Sequence, residues 1–151
     1  MKNAYLTLLT VLCASLSLLA QKTNPVEWSF FAEKTGTQEY TITYSADVVP
    51  GWYIYSQHTD PSGPIPTGFY ANENPAIELV GDVTEEGKKK EGFDALFEVN
   101  VIKFSGLVLF RQKLKVKEGA TNLTGYLEFM ACDNEQCLPP QEVEFDIAIG
   151  E

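Results

Sequence analysis

Residues 129–140 read F-M-A-C-D-N-E-Q-C-L-P-P and contain Cys132 and Cys137, the only cysteines after residue 20. Asp133 and Asn134 lie between them and favour a turn, because their side chains hydrogen-bond to nearby backbone. Apolar residues precede the pair, and two prolines, which cannot donate to a strand ladder, follow it. The stretch therefore predicts two strands joined by a tight acidic turn, with one thiol at each shoulder.

The segments on either side of this turn alternate apolar and polar residues, the pattern of a half-buried strand. The same pattern recurs along the chain, and after residue 20 no helix of three turns is visible. Short strands separated by turn signals, in about 130 residues, are typical of a sandwich. We predict an all-β, immunoglobulin-like β-sandwich of about eight strands, at residues 26–31, 39–48, 52–56, 76–80, 97–105, 107–117, 123–131 and 141–149.

Two polar segments are predicted to be loops. Residues 60–68 contain three prolines and two glycines, and residues 81–92 are polar and carry the run Lys88-Lys89-Lys90. We expect these lysines at a solvated loop tip. Glu85, Glu86 and Glu91 flank them, so their positive field is expected to be cancelled.

The first twenty residues have the organisation of a secretory signal peptide. Lys2 precedes an apolar segment from Ala4 to Leu19, and Ala20 is a candidate last residue before cleavage. We therefore predict a signal peptide at residues 1–20, one domain at residues 21–151, and a periplasmic protein. Loss of Lys2 changes the formal net charge from −10 to −11, which argues against nucleic acid and anionic lipid as partners.

The residues by themselves leave two roles open for Cys132 and Cys137. A pair of cysteines in an exported chain predicts a disulfide, either as a structural staple or as a redox-active pair. The short loop that it closes stabilises the fold by only about 2 kcal/mol, which weakens the staple interpretation. His58 is the single histidine and is expected on a surface loop. No metal or cofactor is predicted, because structural zinc requires four ligands.

The chain resembles the N-terminal periplasmic domain of the thiol:disulfide interchange protein DsbD, over roughly residues 26–149. The most specific match is the cysteine turn with its Leu-Pro-Pro, from Cys132 to Pro140. A second is the strand G-W-Y-I-Y at residues 51–55, and a third is Phe97 followed seven residues later by Phe104, which is similar to the cap loop of that family.

The resemblance implies an immunoglobulin-like fold and a protein-disulfide reductase activity. Electrons from a membrane-embedded electron-transfer protein would pass through the dithiol to thioredoxin-like periplasmic proteins. It implies that Cys137 forms the mixed disulfide with the partner and that Cys132 resolves it. It also implies that Tyr53 and Tyr55 line the active site, and that Phe97, rather than Phe93, shields the sulfurs as a cap.

The chain departs from the family pattern in two places. It has one residue fewer between the cysteines than well-known members, and Ala95 and Leu96 replace an acidic pair before the cap phenylalanine. No role is therefore assigned to those two positions. The chain ends without a membrane or thioredoxin-like domain, so we expect a monomeric module that acts in trans. The acidic residues beside the cysteines are expected to disfavour the thiolates and to raise the thiol pKa values.

Two other functions stay open from the sequence. The chain could be a non-enzymatic immunoglobulin-like binding domain with a structural disulfide. It could also be a sandwich that binds carbohydrate or peptide through aromatic side chains, namely Trp52, Tyr53, Tyr55, Phe69 and Tyr70. Core packing is the simpler interpretation of Trp52.

Overall fold

The computed structural model of the chain describes residues 24–149. They form nine strands and contain no helix, which confirms the all-β prediction. Accordingly, none of these residues form a helix that is long and apolar enough to cross a membrane. Residues 1–20, with the predicted signal peptide, lie outside the described residues. The strands are β1 (Val26–Lys34), β2 (Glu39–Val48), β3 (Tyr53–Tyr55), β4 (Gly68–Ala71), β5 (Ile77–Asp94), β6 (Val99–Val116), β7 (Asn122–Phe129), β8 (Ala131–Cys132) and β9 (Gln141–Ala148).

The strands form two antiparallel sheets. Strand β6 runs through the middle of the larger sheet, with β5 on one side and β2 and β3 on the other. Strand β1 pairs with β2, and β8 pairs with β3. The smaller sheet has the order β4-β7-β9. This arrangement brings the cysteine turn to the edge of the larger sheet, beside β3.

Aromatic side chains from both sheets fill the space between them. The ring of Trp28 in β1 lies 5.4 Å from the ring of Phe129 in β7 and 6.0 Å from that of Phe110 in β6. Phe69 of β4 packs against Tyr44 of β2, with ring centroids 4.5 Å apart. Because such contacts cross from one sheet to the other, the two sheets share one core, as the predicted sandwich requires.

The prediction of a loop at residues 81–92 is wrong. These residues belong to β5, which pairs with β6 from Ile77 to Asp94 except at residues 81–83, where the register shifts. β5 is an edge strand whose side chains are mostly exposed on both faces, so its sequence lacks the alternation that marks a half-buried strand. The lysine run, predicted at a loop tip, lies in the middle of this strand. Lysines on an exposed edge also discourage edge-to-edge association.

The predicted strands 97–105 and 107–117 are a single strand, β6, and the first of them begins two residues later than predicted. Gly106 lies between them with a φ of 68°, where the register between β5 and β6 shifts. Glycine adopts this left-handed conformation without steric cost, so the chain forms a bulge there and continues as a strand.

Candidate functional site

Strand β8 and the turn after it hold the two cysteines. The structure joins Cys132 and Cys137 by a disulfide, with their Cα atoms 4.1 Å apart. The Cys132 side chain is fully buried, whereas Cys137 is half-buried. The two sulfurs therefore differ in access, and a molecule that approaches from solvent meets Cys137 first.

Backbone hydrogen bonds hold the cysteine turn in addition to the disulfide. The N–H of Asp133 donates to the carbonyl of Gln136 at 2.9 Å. The N–H of Leu138 donates to the carbonyl of Ala131, also at 2.9 Å. The Asp133 carboxylate accepts bonds from the N–H groups of Glu135 and Gln136, both at 2.8 Å. These bonds hold the pKa of Asp133 below its usual value. A negative charge thus stays fixed beside Cys132.

Strand β3 places both predicted tyrosines at the disulfide. Tyr53 pairs directly with Cys132, and its hydroxyl donates to the side-chain oxygen of Asn134 in the turn. Tyr55 is fully buried in a cluster with Val101 and Cys132. Its hydroxyl has no hydrogen-bond partner among the described residues. Burial, followed by the charge of Asp94 and the neighbouring Tyr53, raises the Tyr55 pKa, so its hydroxyl stays protonated.

The connection between β5 and β6, which we call the cap because the sequence predicts that role for it, contacts this cluster through Phe97. The Glu98 N–H donates to the Asp94 carbonyl at 2.8 Å, and the Leu96 N–H donates to the Asp94 carboxylate at 3.0 Å. The turn ends at Glu98 with a φ of 59°. Phe97 packs against the cluster that contains Cys132, and its ring meets that of Tyr55 edge-on at 6.0 Å.

Phe93 does not share this position. Its side chain is 69% exposed, and Leu96 in the same cap is 50% exposed. The cap therefore turns one aromatic ring inward and leaves two apolar side chains in solvent. Of the two phenylalanines considered from the sequence, the structure places Phe97 at the disulfide.

A buried ion pair anchors the cap to the sheet, and sequence reasoning missed it. The Lys103 ammonium lies 2.9 Å from the Asp94 carboxylate and 4.0 Å from the centroid of the Tyr53 ring. Burial raises the pKa of Asp94, but hydrogen bonds from Lys103 and backbone N–H groups, with the Lys103 charge, outweigh it and lower that pKa. No motif links residues nine apart, and only the β5–β6 hairpin brings them together.

A groove of about 480 Å³ lies on the outer side of the cysteine turn. Its lining includes Trp52, Leu138, Pro139 and Pro140, with Gln136 at the turn. Gln136 and Leu138 are the neighbours of Cys137 in the chain. The more accessible sulfur therefore lies next to a largely apolar groove.

The aromatics proposed for carbohydrate or peptide binding do not form one surface. Phe69 packs in the core against Tyr44 and Phe110, whereas Tyr70 is exposed and stacks on Tyr126 at 4.8 Å. His58 is exposed, and residues 24–149 contain no group of three potential metal ligands.

The sequence profile of the family "Thiol:disulfide interchange protein DsbD, N-terminal" matches residues 20–149. The chain belongs to this family. Members are thiol–disulfide exchange modules, and Cys132 and Cys137 form the only disulfide among the described residues. No curated protein matches the chain in sequence.

Two solved structures share the fold. The N-terminal periplasmic domain of ScsB from Proteus mirabilis is 19% identical with a TM-score of 0.59, and the match covers 87% of this chain and 51% of that one. The reduced DsbD N-terminal domain of Neisseria meningitidis is 16% identical with a TM-score of 0.53, covering 81% and 86%. The chain thus spans about half the length of the ScsB structure. Both matches confirm the DsbD N-terminal fold predicted from the sequence.

Proposed function

We propose that this domain is a periplasmic protein-disulfide reductase module. It takes two electrons from a membrane-embedded electron-transfer protein and passes them to thioredoxin-like proteins through Cys132 and Cys137. The observation that carries the proposal is the unequal burial of the two sulfurs on a turn that holds itself together. Cys137 can be reached, Cys132 is protected, and four hydrogen bonds hold the turn in addition to the disulfide.

The exchange proceeds in two steps. In the reduced protein, the Cys137 thiolate attacks one sulfur of the partner's disulfide, and the partner's other cysteine leaves as a thiolate and takes a proton. The Cys132 thiolate then attacks the Cys137 sulfur and releases the partner's first cysteine, which is protonated in turn. The partner gains two electrons and two protons, and this chain returns to the disulfide.

The surroundings of the sulfurs support a slow, selective carrier. Asp133 is held ionised beside Cys132, and the Phe97 cap covers the cluster around it. Negative charge and exclusion of water both disfavour a thiolate, and the thiolate is the reactive form. Small disulfides therefore react poorly with this site, whereas a protein that displaces the cap gains access to the sulfurs.

The test is a trap of the mixed disulfide. Cys132→Ala, expressed in the exporting cell, removes the resolving thiol, so disulfide-linked complexes should accumulate on Cys137 and contain thioredoxin-like proteins. Cys137→Ala is the matched control and should trap far less. Equal trapping by both variants would contradict the assignment of Cys137 as the attacking sulfur.

The competing function is an immunoglobulin-like binding domain with a structural disulfide. The reduction potential separates the two functions. A relay disulfide should equilibrate with a thioredoxin-like protein, whereas a staple resists reduction at glutathione-level potentials. A disulfide that stays closed under those conditions would contradict the relay.

A further inference from the structure

A second groove, of about 280 Å³, lies on the opposite side of Tyr53 from the cysteine turn. We call it the lysine groove; its lining includes Trp52 and Tyr53 on one side and Lys88, Lys90 and Lys103 on the other. It belongs to a protein with a formal net charge of −10. A positive groove on a negative protein distinguishes this part of the surface from the rest.

The register of the larger sheet puts the lysine groove on the face that carries the disulfide. Lys90 pairs with Lys103, and Lys103 pairs with Tyr55, which shares a face with Tyr53. Tyr53 in turn pairs with Cys132. Directly paired residues of antiparallel strands project from the same face. Three strand spacings of about 4.8 Å separate β5 from β8, so Lys90 is about 14 Å from the cysteine strand.

The carboxylates near the lysine run bind groups other than the ammonium groups of Lys88 and Lys90. Glu85 accepts hydrogen bonds from Ser56 and Gln57, Glu86 binds Arg111 at 2.7 Å, and Glu91 binds Lys89 at 2.6 Å. Within the part of the chain that the structure describes, no carboxylate lies in ion-pair distance of Lys88 or Lys90. Lys88 and Lys90 therefore have no carboxylate in direct contact, while Glu85, Glu86 and Glu91 stay charged nearby.

We infer that the lysine groove docks an acidic loop of the protein that exchanges disulfides with Cys137. A partner whose sulfur reaches the turn must also cover part of this face, and two free ammonium groups would meet its surface about 14 Å away. The overall negative charge of the domain repels acidic proteins at long range, so the local positive groove selects the orientation in which they approach. The inference rests on the proposed exchange function and adds the charge of the partner's contact surface.

The test uses synthetic peptides in place of the unidentified partner. Two peptides each carry one cysteine, activated as a 2-thiopyridyl mixed disulfide, followed by a flexible spacer and three glutamates or three glutamines. Release of pyridine-2-thione measures the rate constant for reaction with the reduced domain. At low salt, the wild type should react about 3- to 10-fold faster with the glutamate peptide, and the ratio should fall toward one at about 1 M salt.

The variant K88Q/K90Q removes the two free charges, and K113Q/K115Q removes two exposed lysines eight or more residues farther along the same strand pair. Both changes alter the net charge equally, so any difference between them is local. K88Q/K90Q should abolish the preference for the glutamate peptide, and K113Q/K115Q should retain it. Circular dichroism checks that both variants fold.

The outcomes separate the inference from the proposed function. Both reactions should be slow because the cap hinders small disulfides, but no release of pyridine-2-thione from either peptide over many hours contradicts both. Equal rates for the two peptides, or equal effects of the two variants, overturn the docking inference and leave thiol exchange intact; the lysines then only protect a sheet edge. Co-sedimentation of the wild type, but not of K88Q/K90Q, with phosphatidylglycerol vesicles, without any peptide preference, would assign the groove to a membrane surface and also overturn the inference.

Discussion

Phe93 and Phe97 show how one turn gives two identical side chains opposite environments. Phe93 is the second-last residue of β5 and is exposed, whereas Phe97 lies within the turn built on Asp94 and packs toward Tyr55. The Asp94 carboxylate bonds the Leu96 N–H and the Glu98 N–H bonds the Asp94 carbonyl, so the turn fixes the direction of Phe97. The role of Phe97 as a cap remains a prediction, and comparing substitutions of Phe97 and Phe93 can test it.

Phe97→Ala should expose the sulfurs of the reduced protein. The side chain is half-buried, so its loss should make cap opening easier by about 1 kcal/mol, which corresponds to a roughly fivefold faster reaction with a small neutral disulfide. Phe93→Ala is the matched control and should leave the rate unchanged. The measurement is the rate of thiol loss at one pH; equal rates for wild type and Phe97→Ala, with both folded, would show that Phe97 is ordinary core.

Asp94→Asn should destabilise the fold at neutral pH. Asparagine preserves the turn but leaves the largely buried Lys103 charge without a partner, and we expect a loss of about 2 kcal/mol, below the value for fully buried pairs. Urea unfolding of the wild type and the variant at pH 6 measures it. Asp47→Asn, an exposed aspartate on β2, should have little effect.

The effect of Asp94→Asn should depend on pH in a defined direction. The pKa of Asp94 is lowered in the folded protein, so its contribution is fully present above the unfolded value of about 3.9 and is lost as the pH falls through the lower folded value. The difference in unfolding free energy between wild type and variant should therefore shrink between pH 5 and about pH 3. A constant difference across that range would show that the charge of Asp94 is not responsible.

At the scale of elements, hydrogen bonds as well as the disulfide hold β8 and its turn. The turn has two backbone hydrogen bonds and two more to the Asp133 carboxylate. The loop between the cysteines is short, so closing it removes little entropy from the unfolded chain. Both facts suit a disulfide that opens and closes in use.

The double variant Cys132→Ala, Cys137→Ala should therefore fold, with a loss of about 2 kcal/mol in unfolding free energy. Thermal unfolding and size-exclusion chromatography of the mature protein test this, with a folded monomer expected. Adding Asp133→Ala removes the carboxylate that bonds two N–H groups of the turn and should destabilise the double variant further. Failure of the double variant to fold would favour the structural staple.

Strand β5 shows where sequence patterns stop being informative. Strands β2 and β9 each turn one side toward the core, so their alternation predicted them well, and the boundaries of β2 agree with the prediction at both ends. The alternation along β6 was also visible, but it was predicted as two strands. β5 has water on much of both faces, and no alternation remains to mark it. Edge strands are stabilised by pairing with a neighbour, which a local pattern does not encode.

At the scale of the whole molecule, one aromatic core couples the two sheets. Trp28 in the larger sheet contacts Phe69 and Phe129 of the smaller sheet as well as Phe110 of its own. Neither sheet can lose its partner without exposing these rings to water. The sandwich should therefore unfold as one cooperative unit.

Trp28→Ala should destabilise the whole domain by about 3 kcal/mol, because it opens a cavity between the sheets. Phe31→Ala, on the same strand but 50% exposed, is the control and should cost far less. Urea unfolding followed by far-ultraviolet circular dichroism and by Trp52 fluorescence should give coincident transitions, and the native spectrum should show β structure with little helix. Separate transitions for the two probes would contradict a single core.

The sequence by itself determined the all-β fold class, because that depends on local alternation and turn chemistry, and it contains the cysteine motif on which the family resemblance rests. The resemblance implied the placement of Tyr53, Tyr55 and Phe97 near the cysteines, and the roles of these residues remain predictions. Tertiary structure alone decided that Cys137 is the more accessible sulfur, that Asp94 pairs with Lys103, and that Lys88 and Lys90 are free of the neighbouring glutamates. Each of these depends on which side chains meet across strands far apart in the chain. The pairing register sets those contacts, and no stretch of sequence contains it.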